Sequence, residues 1–72
     1  MFDLRLQLAE HIRHYSVSVA SPSGWEVRRE EDSELTMNNR YEDWHRVERA
    51  IAAFQREVLR LTESGWTVLT EH

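Results

Sequence analysis

Trp44, Val47, Ile51, Phe54, Val58 and Leu61 follow one another at spacings of 3, 4, 3, 4 and 3. An apolar stripe of that period predicts an amphipathic helix with a single packing seam. The helix is expected over residues 42–64. Asp43 offers a side-chain acceptor at its start, with Asn39 and Glu42 as an alternative capping box one turn earlier. It runs about 21 residues, roughly 30 Å, long enough to cross a whole small sheet. Gly65 is placed to end it in a left-handed conformation, which brings Trp66 back against Leu61 in a Schellman turn.

Ahead of the helix the period changes to two. Tyr15, Val17 and Val19 alternate with His14, Ser16 and Ser18, as in a strand with one wet face over Arg13–Ala20. Ser21-Pro22-Ser23-Gly24 predicts a turn. Trp25–Glu31 and Glu34–Tyr41 read as two further strands separated by Asp32-Ser33, so residues 12–41 form an antiparallel meander. Residues 1–11 read two ways. Phe2, Leu4, Leu6 and Leu8 alternate like a strand, whereas Leu4, Leu8 and Ile12 also suit one face of a helix. With no Gly, Pro or Asn before the next strand, the stretch is taken as an extended N-terminal arm. Residues 65–72 are a short tail or strand.

The fold class is therefore α+β: one domain spanning 1–72, with a three-stranded antiparallel meander under one long C-terminal helix and room for an added strand at either end. Its expected core is Tyr15, Val17, Val19, Trp25, Val27, Leu35, Met37, Trp44, Val47, Ile51, Phe54, Val58, Leu61 and Trp66. At 72 residues a chain buries only about 60% of its unfolded surface. With no cysteine there is no disulfide to compensate, so stability rests on the aromatics or on self-association.

Composition narrows the function classes. A cysteine-free chain suits a reducing, cytoplasmic setting, and Asp3 and Arg5 interrupt the apolar N-terminus, against a secretory signal or membrane span. All nine basic residues are Arg, and the net charge is −4, which opposes a phosphate backbone in bulk. Arg46, Arg49, Arg56 and Arg60 nevertheless share the outer helix face and form a candidate anion or nucleic-acid surface. The alternative is a solvated face supported by pairs such as Glu42–Arg46. Four acids within Glu30-Glu31-Asp32-Ser33-Glu34 are expected to repel one another and stay wet, possible complements to the Arg stripe of a second chain.

Chemistry-bearing motifs are sparse. His11 and His14 stand on opposite faces if they lie on a strand and cannot chelate together, and no ligand set accompanies them or His72, so no metal and no cofactor is expected. Ser23-Gly24 and Ser64-Gly65 are turn serines rather than a nucleophile elbow. His45 with a nearby carboxylate is the only acid–base arrangement in view, and no catalytic role is assigned. His45, Ala52 and Leu59 form a second line off the main seam, a candidate interface for a homodimer or for residues 1–11 folding over the helix. A non-enzymatic, self-associating interaction module is the first expectation, with a nucleic-acid-binding module as the alternative.

Ser23-Gly24-Trp25-Glu26-Val27 and Tyr41-Glu42-Asp43-Trp44-His45-Arg46-Val47-Glu48-Arg49-Ala50 together resemble a pattern in small bacterial proteins to which no activity is attached. The resemblance covers residues 14–66. Ala50–Trp66 is also similar to the end of WGR modules, which bind nucleic acid, but the Trp-Gly-Arg motif itself is missing.

Overall fold

A computed structural model describes the backbone of residues 2–71 and the side chains of residues 2–69. The chain runs β1 (Phe2–Leu8), β2 (His11–Val19), β3 (Trp25–Glu31), β4 (Glu34–Tyr41), α1 (Trp44–Glu63) and β5 (Thr67–Glu71). All neighbouring strands are antiparallel in one sheet of order β4-β3-β2-β1-β5. The α+β class holds, but the meander has four strands rather than three. The N-terminal segment is β1, and it lies between β2 and β5 inside the sheet.

The missing fourth strand has a local cause. β1 and β2 join through Ala9-Glu10, and Ala9 takes φ +53°. Such a tight turn ordinarily advertises itself with Gly, Asn or Asp, so Ala9 leaves no mark in the sequence. The β3–β4 turn follows the pattern better. Asp32 and Ser33 both have positive φ (53° and 69°), as a two-residue hairpin of the right twist requires. In the β2–β3 loop, Gly24 has φ +94°, and a Cβ there would stand 2.6 Å from the Tyr41 carbonyl oxygen.

One sheet face carries the core. Leu4, Leu6, Tyr15, Val17 and Val27 are buried beneath Val47 and Phe54 of α1, which packs over β2, β3 and β4. The Phe54 ring centroid lies 4.9 Å from that of Tyr15 and 6.4 Å from that of Phe2. Ile51, Val58, Leu61 and Trp66 pack at the margins. Leu4 and Leu6 belong to this core because β1 is interior, a consequence hidden while residues 1–11 had no assigned partner.

Three expected core residues lie outside it. Val19 is 73% exposed. It ends β2 opposite Trp25, and it is Trp25 that receives the first helical residue, Trp44, at 5.1 Å between ring centroids. Trp44 itself is 40% exposed, at the free end of the seam. Leu35 faces the other side of the sheet because the β3–β4 register shifts between Arg29 and Glu30. A one-residue bulge reverses the side of every residue beyond it.

Both helix ends follow the sequence. Asp43 is the N-cap, its side chain accepting from the His45 N–H at 2.9 Å, so the alternative box at Asn39 is not the cap. At the other end the Trp66 N–H donates to the Leu61 carbonyl at 3.0 Å and the Gly65 N–H to that of Thr62 at 3.2 Å, with Gly65 at φ +103°. That is the Schellman pairing. No described helix is long and apolar enough to cross a membrane.

Candidate interaction surfaces

The charged residues fall into three groups, and their placement decides which are available to a partner. The first lies under the C-terminal half of α1. Glu57 stands one position from the apolar seam and turns toward the sheet, where its Oε1 accepts from the Tyr15 hydroxyl at 2.9 Å. Arg13 Nη1 reaches the same oxygen at 3.3 Å, and Arg29 Nη1 reaches both carboxylate oxygens at 3.3 Å. Arg13 also pairs with Glu31 at 3.2 Å and lies 5.3 Å from the centre of the Trp66 ring, within cation–π range. Burial pushes the Tyr15 phenol up to about 12; the hydrogen bond from Arg13 pulls against this, and Glu57 adds to it. These residues satisfy one another, and nothing in their spacing along the chain announces the cluster.

The second group covers the open sheet face. His14 Nε2 lies 2.9 Å from Asp3 and its Nδ1 3.9 Å from Glu30. Arg28 stands between Glu26 at 3.5 Å and Glu30 at 3.9 Å. At the hairpin tip Asp32 accepts from the Ile12 N–H at 2.8 Å and meets His11 Nδ1 at 3.0 Å, contacts that hold its carboxyl below the usual range, the His11 hydrogen bond most of all. The acidic tip is wet at Asp32 and Glu34, which stay exposed, but most of its charges are paired rather than left to repel one another. Glu30, Glu31 and Asp32 each have a basic partner on β2 or β3, because strand pairing alternates the signs across the sheet. His11 and His14 stand on opposite sides, as their spacing on a strand requires, and no group of metal-holding residues occurs among the described residues.

Two shallow clefts flank this tip. One, of about 150 Å³, is lined by Arg5, Ile12, His14, Glu30 and Ser33. The other, of about 170 Å³, includes His11, Arg13, Glu31, Asp32 and Trp66. His45 borders neither; its side chain is 84% exposed, with Glu48 3.6 Å away. His72 lies outside the described residues.

The third group is the outer helix face. Arg46, Arg49, Arg56 and Arg60 are all exposed, and none has an ion pair among the described residues. The Glu42–Arg46 pair does not form: Glu42 accepts from the Ser23 hydroxyl at 3.4 Å instead. Arg56 and Arg60 stand at i, i+4, a like-charge spacing that costs a helix about 0.2–0.5 kcal/mol. Arg60 alone has an evident structural benefit, a cation in the last turn. On the neighbouring line His45 and Leu59 are exposed, Leu59 to 60%, while Ala52 between them is half-buried.

Exposed apolar side chains gather elsewhere too. Leu8 of β1 and Val68 and Leu69 of β5 are 37%, 39% and 47% exposed, at the side of the sheet where β5 is the last strand. Compared with protein families, curated proteins and solved structures, the chain finds no match.

Proposed function

We propose that this chain is a small, non-enzymatic interaction module that pairs with a second copy of itself along the outer edge of β5. The contrast between the two sheet edges carries the reading. β4 bears Glu34 and Arg40, charges of the kind that keep an edge from recruiting another strand; both edge strands carry a register shift, so it is charge that distinguishes them. β5 holds a single charge, Glu71 at its end, and no proline, and its Val68 and Leu69 stand exposed. An edge of this kind presents unpaired N–H and C=O groups together with apolar surface. An antiparallel strand meets its own copy across a two-fold axis without needing a different partner sequence, so the contact is isologous and closed.

The edge is only five residues long. It buries less than the roughly 1,200–2,000 Å² of a standard stable interface, so pairing is reversible and depends on concentration. A cysteine-free chain suits a cytoplasmic setting for such a module.

Light scattering over a wide concentration series tests the reading. The mass should rise from monomer toward dimer, and Val68→Lys or Leu69→Lys should hold it at monomer while circular dichroism stays native. A strict monomer throughout overturns self-association. A dimer that survives both edge variants but dissolves on Leu59→Glu moves the contact to the His45, Ala52 and Leu59 face and overturns the β5 assignment.

A further inference from the structure

We infer that the outer face of α1 binds the phosphodiester backbone of a nucleic acid through Arg46, Arg49, Arg56 and Arg60. The four positions fall within an arc of about 80° at 100° per residue and span about 21 Å of a straight helix. Their guanidiniums are exposed and without ion pairs among the described residues.

The net charge of −4 conceals this face rather than contradicting it. Most carboxylates that neighbour the stripe are engaged elsewhere; Glu63, three positions beyond Arg60, is exposed and has no ion pair among the described residues. Glu57 turns inward to Arg13, Arg29 and Tyr15. Glu42 accepts from Ser23, Asp43 caps the helix, and Glu48 pairs with His45. On the sheet, Asp3, Glu26, Glu30, Glu31 and Asp32 are matched by His11, His14, Arg13, Arg28 and Arg29. An approaching polyanion therefore meets a local stripe of positive charge within the roughly 10 Å over which exposed charges act at ordinary salt.

The chemistry of the stripe favours phosphate over an acidic protein. Guanidinium forks match phosphate oxygens in bidentate geometry. Ala53, within the same arc and exposed, is too small to supply the buried anchors on which protein interfaces depend; Leu59 lies on the neighbouring line. Interfaces with nucleic acid can rest on charge alone. A duplex carries one phosphate per about 1.7 Å of its axis, so each guanidinium along the stripe finds a partner without a special register.

Fluorescence anisotropy with labelled random-sequence duplex DNA, duplex RNA and single-stranded DNA tests the inference. Four phosphate contacts predict a slope of log affinity on log salt near −3.6 for a B-form duplex and near −2.8 for a single strand. For a duplex that is about a 100-fold loss of affinity between about 50 and 200 mM salt. Arg49→Gln with Arg56→Gln should roughly halve the slope, while Arg5→Gln on the open sheet face should leave it unchanged. The probe bound tightest identifies the natural form. No binding to any probe at low salt overturns the inference, as does an equal loss with Arg5→Gln. Tighter binding of polyglutamate than of any nucleic acid also overturns it and assigns the face to an acidic protein. Circular dichroism and thermal melting of each variant separate lost binding from lost folding.

Discussion

Glu57→Ala should be among the most damaging changes on the helix, although position 57 lies off the apolar seam. The substitution takes away the acceptor of a fully buried phenol and the shared partner of two arginines. A hydrogen bond to a charged group contributes about 1.5–3 kcal/mol. Arg13 keeps Glu31 at 3.2 Å and Arg29 keeps the Thr36 hydroxyl at 3.2 Å. Both guanidiniums have some solvent access, so each lost ion pair adds only about 0–1 kcal/mol. The expected total is about 2–4 kcal/mol, against an overall stability of roughly 4–11 kcal/mol for a domain of this length. Urea denaturation of wild type, Glu57→Ala, Tyr15→Phe and the double variant measures it. The two residues should couple by about 1.5 kcal/mol or more; additivity to within about 0.5 kcal/mol would refute the contact. A phenol titration gives a second reading. Tyr15 is raised to about 12, so the folded state favours the protonated phenol more than the unfolded chain does, where the value is near 10. The resulting stability is complete below about pH 10 and is lost between about pH 10 and 12, up to about 2–3 kcal/mol. In Glu57→Ala the phenol should titrate lower, because the carboxylate no longer raises it. A wild-type Tyr15 that titrates at the ordinary phenol value would refute the burial argument itself.

Two further outcomes follow from packing and backbone geometry. Phe54→Ala removes the ring between Phe2 and Tyr15 and should cost about 3–5 kcal/mol, enough that a near-native melting temperature would overturn the assigned core. Gly65→Ala has room, with only a Leu8 methyl 3.7 Å from the new Cβ, so its cost should be the left-handed backbone alone, about 1–2 kcal/mol. Gly24→Ala combines the same backbone with a carbonyl at 2.6 Å and should cost about 2–5 kcal/mol; thermal melting of the two variants should rank them in that order.

The helix and its ends were legible because their causes are local. The 3.6-residue period, the Asp43 cap and the Gly65-Trp66 ending each depend on residues a few positions apart. The strands from Arg13 to Tyr41 were legible for the same reason, through their alternation of two. Candidate surface positions on α1 were likewise readable from helical geometry, and Arg46, Arg49, Arg56, Arg60 and Leu59 do stand exposed.

What escaped a linear reading depended on partners far along the chain. β1 became an interior strand because β5 pairs with it from sixty or more positions away, and that pairing buried Leu4 and Leu6. The turn that made β1 part of the meander rests on Ala9 at a positive φ, a conformation the residue type does not advertise. Leu35 left the core through a single bulge, which no period-two pattern records. The charges illustrate the point most fully. Counting residues along the chain yields a net of −4, an acidic tip and an Arg stripe with nearby acids. Folding decides which of them meet: Glu57 goes inward, Asp32 caps back onto Ile12 and His11, and the stripe is left without partners among the described residues. Periodicity determines which side of an element a residue takes, because it is a property of one element. Pairing across the sheet and between layers is a property of two, and only the tertiary structure brings the second one into place.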